Sequence, residues 1–335
     1  MAQQAIAQSF YGESSTHRYS LHLVFDSERV FGNLQYSAVN ENSTKIYRVK
    51  GSFSENQLDL FELITKESLF RGEAVDQGFS GFVAIESLNL NQKIDFRRAN
   101  LNTGLALKSV SVAGQQMLRA SDPLSPSALA DLQVLVPSAG NNSLQTALNK
   151  FYRFGNEQLD AEAQLKQQTE QFFSQYSELA NISSTGGASF QWIKQMETVP
   201  VLNRSGHICL KKSTYAFTGG AHGMEHHEFG IFDFNGNKLD FNDLFVENSS
   251  ENLKLMITEK IKKALGLQTD EMLSENGFFV DMVDPNSNLF VFDAGIGFYY
   301  NSYEIAPYST GHTMVMFQFN EIKPLLKAGM LGFFE

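Results

Sequence analysis

The 335-residue chain has a single cysteine, Cys209, so no intramolecular disulfide can form and a zinc site built on several thiolates is excluded. It has no excess of basic residues: 26 Lys and Arg against 37 Asp and Glu give a net charge of −11. Nucleic acid and anionic membrane surfaces are therefore poor partners, because both recruit a basic footprint. No run of eighteen apolar residues occurs, so no helical membrane span is expected. Nor is there a GxSxG elbow, an HExxH pair or the Lys-Ser/Thr that completes a phosphate-binding loop. No cofactor is implied.

The first residues, MAQQAIAQSFYG, lack the basic and long apolar regions of an export signal, while Ala5-Ile6-Ala7 resembles the tail of a cleavage site. With 42% hydrophobic and 12% aromatic residues, the chain can build substantial cores. From Arg18 to Ala99, short runs rich in β-branched and aromatic residues alternate with turn chemistry at 26–29, 40–43 and 54–56. This spacing predicts an antiparallel meander that curls into a small barrel or a sandwich. Gly32, Gly51, Gly72 and Gly81 fall at strand positions where sheets bend. Phe79, Phe82 and Phe96 are expected as core, and His17 and His22, with no partner at ligand spacing, as surface residues.

Residues 109–142 change character, with breaks at Ser121-Asp122-Pro123, Ser125-Pro126-Ser127 and Pro137–Asn142. Beyond them, Ser143 can cap a helix with Leu144, Ala147, Leu148 and Phe151 on one face. A second helix is expected over 157–179, its Gln- and Glu-rich face solvated. A third has Leu253, Ile257, Ile261 and Leu265 on one face, lysines in its last turn and Gly266 as its stop. Later strands fall at 278–283, 289–292, 297–300 and 313–319. The reading is an α+β fold: a β-meander domain at 10–110, a linker at 111–142, and at 143–335 an α+β domain with an antiparallel sheet and packed helices.

The most informative stretch runs from Tyr215 to Phe241. Gly219, Gly220 and Gly223 shape a turn between two strands, and Asn235-Gly236 is the preferred pair for a type I′ hairpin. His222, Glu225, His226, His227 and Glu228 form the densest titratable cluster, with Glu304 and His312 further on. His222, His226 and His227 are candidate metal ligands, although the glycines oppose the helix that would align the first two. Glu304 with Asp293 or Asp233 would serve carboxylate chemistry only at the right separation, and Ser213 and Ser309 stand near histidines. The second informative stretch is Asn301–Gly311, where Pro307 stiffens a loop that presents Tyr303 and Tyr308 as binding anchors.

Together, Tyr215, Thr218-Gly219-Gly220-Ala221-His222-Gly223, Asp233-Phe234-Asn235-Gly236, Asp243-Leu244-Phe245 and Tyr303-Glu304-Ile305-Ala306-Pro307-Tyr308 resemble a bacterial extracytoplasmic domain of unknown function. That domain forms the C-terminus of RsiV-type anti-sigma factors and stands beside some peptidoglycan deacetylases. The resemblance covers roughly 143–326. It implies an extracytoplasmic, non-catalytic binding module for a basic protein of the lysozyme kind or a cell-envelope glycan, with His222, Tyr303, Glu304 and Tyr308 at the surface that binds. The chain departs from the RsiV pattern in lacking a sigma-factor-binding segment and a transmembrane helix. The competing expectation is a metal- or carboxylate-dependent hydrolase of envelope polymers.

Overall fold

The computed structural model describes residues 5–333 apart from 27–28, 40–42, 100–103, 123, 157–158 and 182–189. The turns expected at 26–29 and 40–43 and the break at Pro123 lie partly or wholly outside the described residues. Eight antiparallel strands come first: β1 (Ile6–Glu13), β2 (His17–Asp26), β3 (Arg29–Ala38), β4 (Thr44–Ser54), β5 (Gln57–Glu62), β6 (Ser68–Val75), β7 (Gly78–Ile85) and β8 (Leu90–Arg98). Strand β8 returns to β1 through Phe10↔Arg98 and Tyr11↔Arg97, which closes the meander into a barrel. Alternation sends Phe10, Leu21, Leu34, Leu60, Phe79 and Phe96 inward to one packed core, while Phe82 stays exposed. Glycine permits the curvature: at Gly51 a Cβ would sit 1.8 Å from the Asp59 carbonyl oxygen.

Strand β1 also pairs with β9 (Leu107–Met117), and the sheet runs on through β10 (Ser127–Pro137), β11 (Trp192–Arg204), β12 (His207–Phe217), β13 (Met224–Asp233) and the short β14 (Lys238–Leu239). One hydrogen-bonded sheet of 14 strands therefore contains both the barrel and its extension. The pair β10–β11 is parallel, and its crossover carries helices α1 (Asn142–Phe151) and α2 (Ala161–Glu178). These helices cover one face of the extension through Leu144, Leu148, Phe151 and Leu165. The other face packs against a three-stranded sheet, β15 (Leu289–Phe292), β16 (Gly295–Tyr300) and β17 (Thr313–Gln318). The four-residue α3 (Phe241–Leu244) and the longer α4 (Ser249–Leu265) complete that core, α4 with Leu253, Ile257 and Ile261.

The α+β expectation is thus overturned: the protein is mostly β, a closed eight-stranded barrel with further strands rather than a helix-packed α+β domain beside a meander. The stretch 111–142, expected as a linker, holds most of β9 and all of β10. Pro126 and Pro137 stand at the two ends of β10, where no ladder hydrogen bond is lost. Helix ends follow local chemistry. Asn141 rather than Ser143 caps α1 through Leu144 N–H, and Gly266 stops α4 at φ 74°. The 233–239 turn has a positive φ at Gly236 but not at Asn235, so it is not type I′. The Asp233 carboxylate holds it instead by accepting from the N–H groups of Asn235 and Asn237.

His22 is not on the surface but fully buried. Outward-facing residues of β1, β2 and β3 are covered by β11 and the 293–294 turn, so this barrel face carries a polar seam. A bulge at Pro200/Leu202 turns two carbonyls toward it. Asn33 Nδ2 donates to the Pro200 carbonyl at 2.6 Å and Gln35 Nε2 to that of Val201 at 2.7 Å.

Candidate functional site

The hairpin of β12 and β13 sets the site. Directly opposed pairs Tyr215↔Glu225 and Ser213↔His227 place Lys211, Ser213, Tyr215, Glu225 and His227 on the face toward the small sheet, and His226 and Glu228 on the opposite face. The 218–223 turn needs its glycines. Gly219 and Gly220 have φ of 101° and 96°. The Tyr215 ring lies across Gly223, where a Cβ would come within 2.3 Å of its hydroxyl oxygen. The Gly223 carbonyl accepts from His222 Nδ1 at 3.0 Å and from the Tyr308 hydroxyl at 3.3 Å. His222 and Tyr308 stack, their centroids 4.0 Å apart and planes 20° from parallel.

The loop that brings Tyr308 there is bolted to β13. The buried Asn301 accepts from His227 N–H at 2.7 Å through Oδ1, and its Nδ2 donates to the His227 carbonyl and to Glu304 Oε1, each at 3.1 Å. Within the loop, Tyr303 has φ 72°, a left-handed conformation that costs a bulky residue on the order of 1 kcal/mol. Its ring is nonetheless 50% exposed, 5.9 Å from that of Tyr308. Phe279, whose N–H donates to the Ile305 carbonyl, extends this exposed surface, with Val280 and Met282 in the same segment. The exposed Glu304 stands at its edge.

Behind the surface lies a second constellation. Glu225 Oε1 accepts from Arg48 Nη1 at 2.8 Å, across from the barrel, and lies 3.3 Å from His227 Nε2, while Oε2 is 3.9 Å from His312 Nε2. The ligating atoms of Glu225, His227 and His312 all lie within 4.8 Å of one another, a donor set that suits zinc. Hydrogen bonding argues for another arrangement. Ser302 N–H donates to His312 Nδ1 at 3.3 Å, so the proton of the neutral ring is on Nε2, facing Glu225. His227 Nδ1 is likewise engaged by Ser213 Oγ at 2.9 Å. The carboxylate is thus ringed by a guanidinium and two imidazoles, and a metal ion here would displace Arg48 and reverse the His312 tautomer.

Electrostatics agree with neutral imidazoles. Burial pushes His227 far below the usual imidazole range, and the charges of Lys211 and Arg48 push it further. Burial also lowers His312 despite the nearby Glu225. Lys211, its Nζ 5.6 Å from the centroid of the Tyr299 ring, is brought down to about 7 by burial and then by Arg48.

Of the residues singled out from sequence, His222, Tyr303, Glu304 and Tyr308 share one surface, and Gly219, Gly220 and Gly223 shape the turn beneath it. Gly236 lies in the 233–239 turn against the start of α1, where a Cβ would meet Ser143 backbone at 2.6 Å. The three histidines do not converge: His222 joins Tyr308, His226 faces α2 and His227 sits in the buried cluster. Sequence reasoning passed over Arg48, Lys211 and Phe279, and named Asn301 only as the start of the loop. Arg48 lies 177 residues from Glu225 and had no local signal, whereas an Asn just before the Tyr303 turn could have marked a loop anchor.

The fold and site together define a mostly β protein, a closed eight-stranded barrel with further strands, whose small C-terminal sheet carries an aromatic loop. The sequence profile of a family described as protein of unknown function (DUF3298) matches residues 242–320, which hold α4, β15 to β17 and that loop. A member of the DUF3298 family from Bacteroides fragilis has a similar solved structure, with a TM-score of 0.60 and 22% identity over 69% of this chain and 97% of that one. A DUF3298-family protein from Pseudomonas aeruginosa is also similar, with a TM-score of 0.50 and 18% identity over 70% of this chain and 99% of that one. At these identities the likeness concerns the fold, and it does not resolve an RsiV-like subgroup. No curated protein matches the chain.

Proposed function

We propose that this chain is a non-catalytic, extracytoplasmic binding protein that seats a basic protein on the surface formed by Tyr303, Tyr308, His222 and Glu304. The observation that carries this reading is Tyr303: a half-exposed aromatic held at φ 72° by a loop anchored through the buried Asn301. Strain kept where no core contact requires it marks a residue positioned for something outside the fold. Rigid tyrosines lose little conformational entropy on binding and are frequent anchors of interfaces. Cationic partners suit the acidic chain, and Glu304, Asp281 and Asp284 border the apolar segment around Phe279. Lysozyme as the type of basic partner, and the extracytoplasmic location, rest on the RsiV-type resemblance.

The test is retention of the chain on immobilised lysozyme, with an acidic protein of similar size as control. The double variant His222→Ala/Tyr303→Ala should lose at least about tenfold in affinity, as removal of central aromatic anchors does. Equal retention of wild type and variant, or none by either, would count against the reading. The hydrolase reading is favoured by the approach of Glu225, His227 and His312, but Arg48 and the His312 tautomer already satisfy that carboxylate.

A further inference from the structure

On the opposite face of the extended sheet, α2 stands over β10 to β13 and leaves a groove of about 610 Å³. Such a volume matches that of small-ligand sites in general. Gln164, Gln167, Gln168 and Gln171 line it from the helix at i, i+3, i+4 and i+7, a continuous stripe of carboxamides. Facing them on the sheet side are Lys194 and His226. This stripe is the helix face that the sequence pattern assigns simply to solvent.

Two groups in the groove are donors that the protein leaves unused. Gln164 is 98% buried, being 2% exposed, and while its Oε1 faces Asn156 N–H at 3.4 Å, its Nε2 has no hydrogen-bond partner. Lys194 lies with Nζ 6.0 Å from the centroid of the Phe172 ring and, among the described residues, forms no ion pair. Burial lowers its affinity for the proton, as expected of an ammonium without a counter-charge. The carboxylate nearby does not serve it: Glu228 is taken by Lys212 at 2.9 Å and by Arg153 at 3.1 Å. A ligand that completes this groove must therefore bring acceptors and a negative charge. Along the glutamine stripe it must also both donate and accept, because each carboxamide does both.

We infer that the groove between α2 and the sheet binds an acidic oligosaccharide, whose hydroxyls exchange hydrogen bonds with the glutamine stripe and whose carboxylate meets Lys194. A nucleic acid would bring one phosphate per nucleotide, whereas among the described residues the groove offers Lys194 alone as a cation without a counter-charge, Lys212 and Arg153 being paired with Glu228, so a sugar that carries a single carboxylate fits it better. The site is separate from the Tyr303 surface and does not depend on its role.

The test is an array of immobilised oligosaccharides, uronate-bearing and neutral, probed with the full chain and with Lys194→Met, Gln164→Leu and Gln167→Ala/Gln171→Ala. Gln167 and Gln171 are exposed, so the last variant spares the core. The expected result is retention on uronate-bearing sugars that falls at least tenfold in every variant, with unchanged melting temperature for the exposed pair and unchanged behaviour on lysozyme beads. No retention on any acidic oligosaccharide, or variants that bind as the wild type does, would overturn the inference. Equal retention on neutral sugars would overturn the part given to Lys194.

Discussion

His22 Nε2 and Asp293 Oδ2 stand 2.6 Å apart, joining the second strand of the barrel to the turn between β15 and β16 across 271 residues. Ser9 Oγ engages the other ring nitrogen at 2.7 Å, and Ser20 Oγ donates to the same carboxylate oxygen at 2.5 Å. Burial alone would raise the Asp293 carboxyl, but His22, Arg204 and Ser20 outweigh it and hold the group below the ordinary carboxylate range. A buried, charge-assisted contact thereby joins the barrel to the small sheet.

Removing one member of such a buried pair leaves the other uncompensated, so Asp293→Ala is expected to lower stability by ~3 kcal/mol. The pH dependence has a definite sign. A carboxyl whose folded value is depressed contributes stability above its unfolded value and loses it as pH falls through the folded one. Urea unfolding of wild type and Asp293→Asn across the acid range should show a steeper acid-side loss in the wild type. Parallel curves would refute the role of the pair.

Gly223→Ala drives a methyl group into the Tyr215 ring and is expected to cost roughly 1–3 kcal/mol, the usual range for overpacking. Because the clash is between these two residues, Tyr215→Ala should absorb part of it. A double-mutant cycle should give a coupling above about 0.5 kcal/mol, and additive effects would show that the glycine serves some other need.

Lys211 has its proton affinity depressed to about 7, so between there and its unfolded value the unfolded chain binds more protons and stability rises with pH. Lys211→Met should therefore be more stable than wild type at mildly acidic pH, an advantage that shrinks as pH rises. Denaturation midpoints at several pH values check this; a constant difference would contradict it.

Much of this was legible in the sequence. Period-two alternation from Arg18 to Ala99 marks the strands, and Leu253, Ile257 and Ile261 with Gly266 mark α4, because in both cases the signal lies within a few residues. The closure through Tyr11↔Arg97 was not legible, since pairing strands separated by 86 positions leaves no local trace. The burial of His22 escaped for a related reason: alternation gives it to the outer barrel face, and only the chain 271 residues later covers that face. Prolines at the ends of β10 read as a linker, although Leu132, Val134 and Val136 between them are core. The turn around Gly223 and the Tyr303 loop were each visible, but the contact that unites them, His222 on Tyr308, is tertiary.

The claim that the Tyr303 surface exists for binding is tested most directly by Tyr303→Asn, since asparagine tolerates the φ of 72° while removing the ring. Affinity for lysozyme, measured by calorimetry beside the melting temperature, should fall at least about tenfold with the melting temperature unchanged or raised. Unchanged affinity, or a melting temperature that collapses with it, would contradict the account and return Tyr303 to the fold.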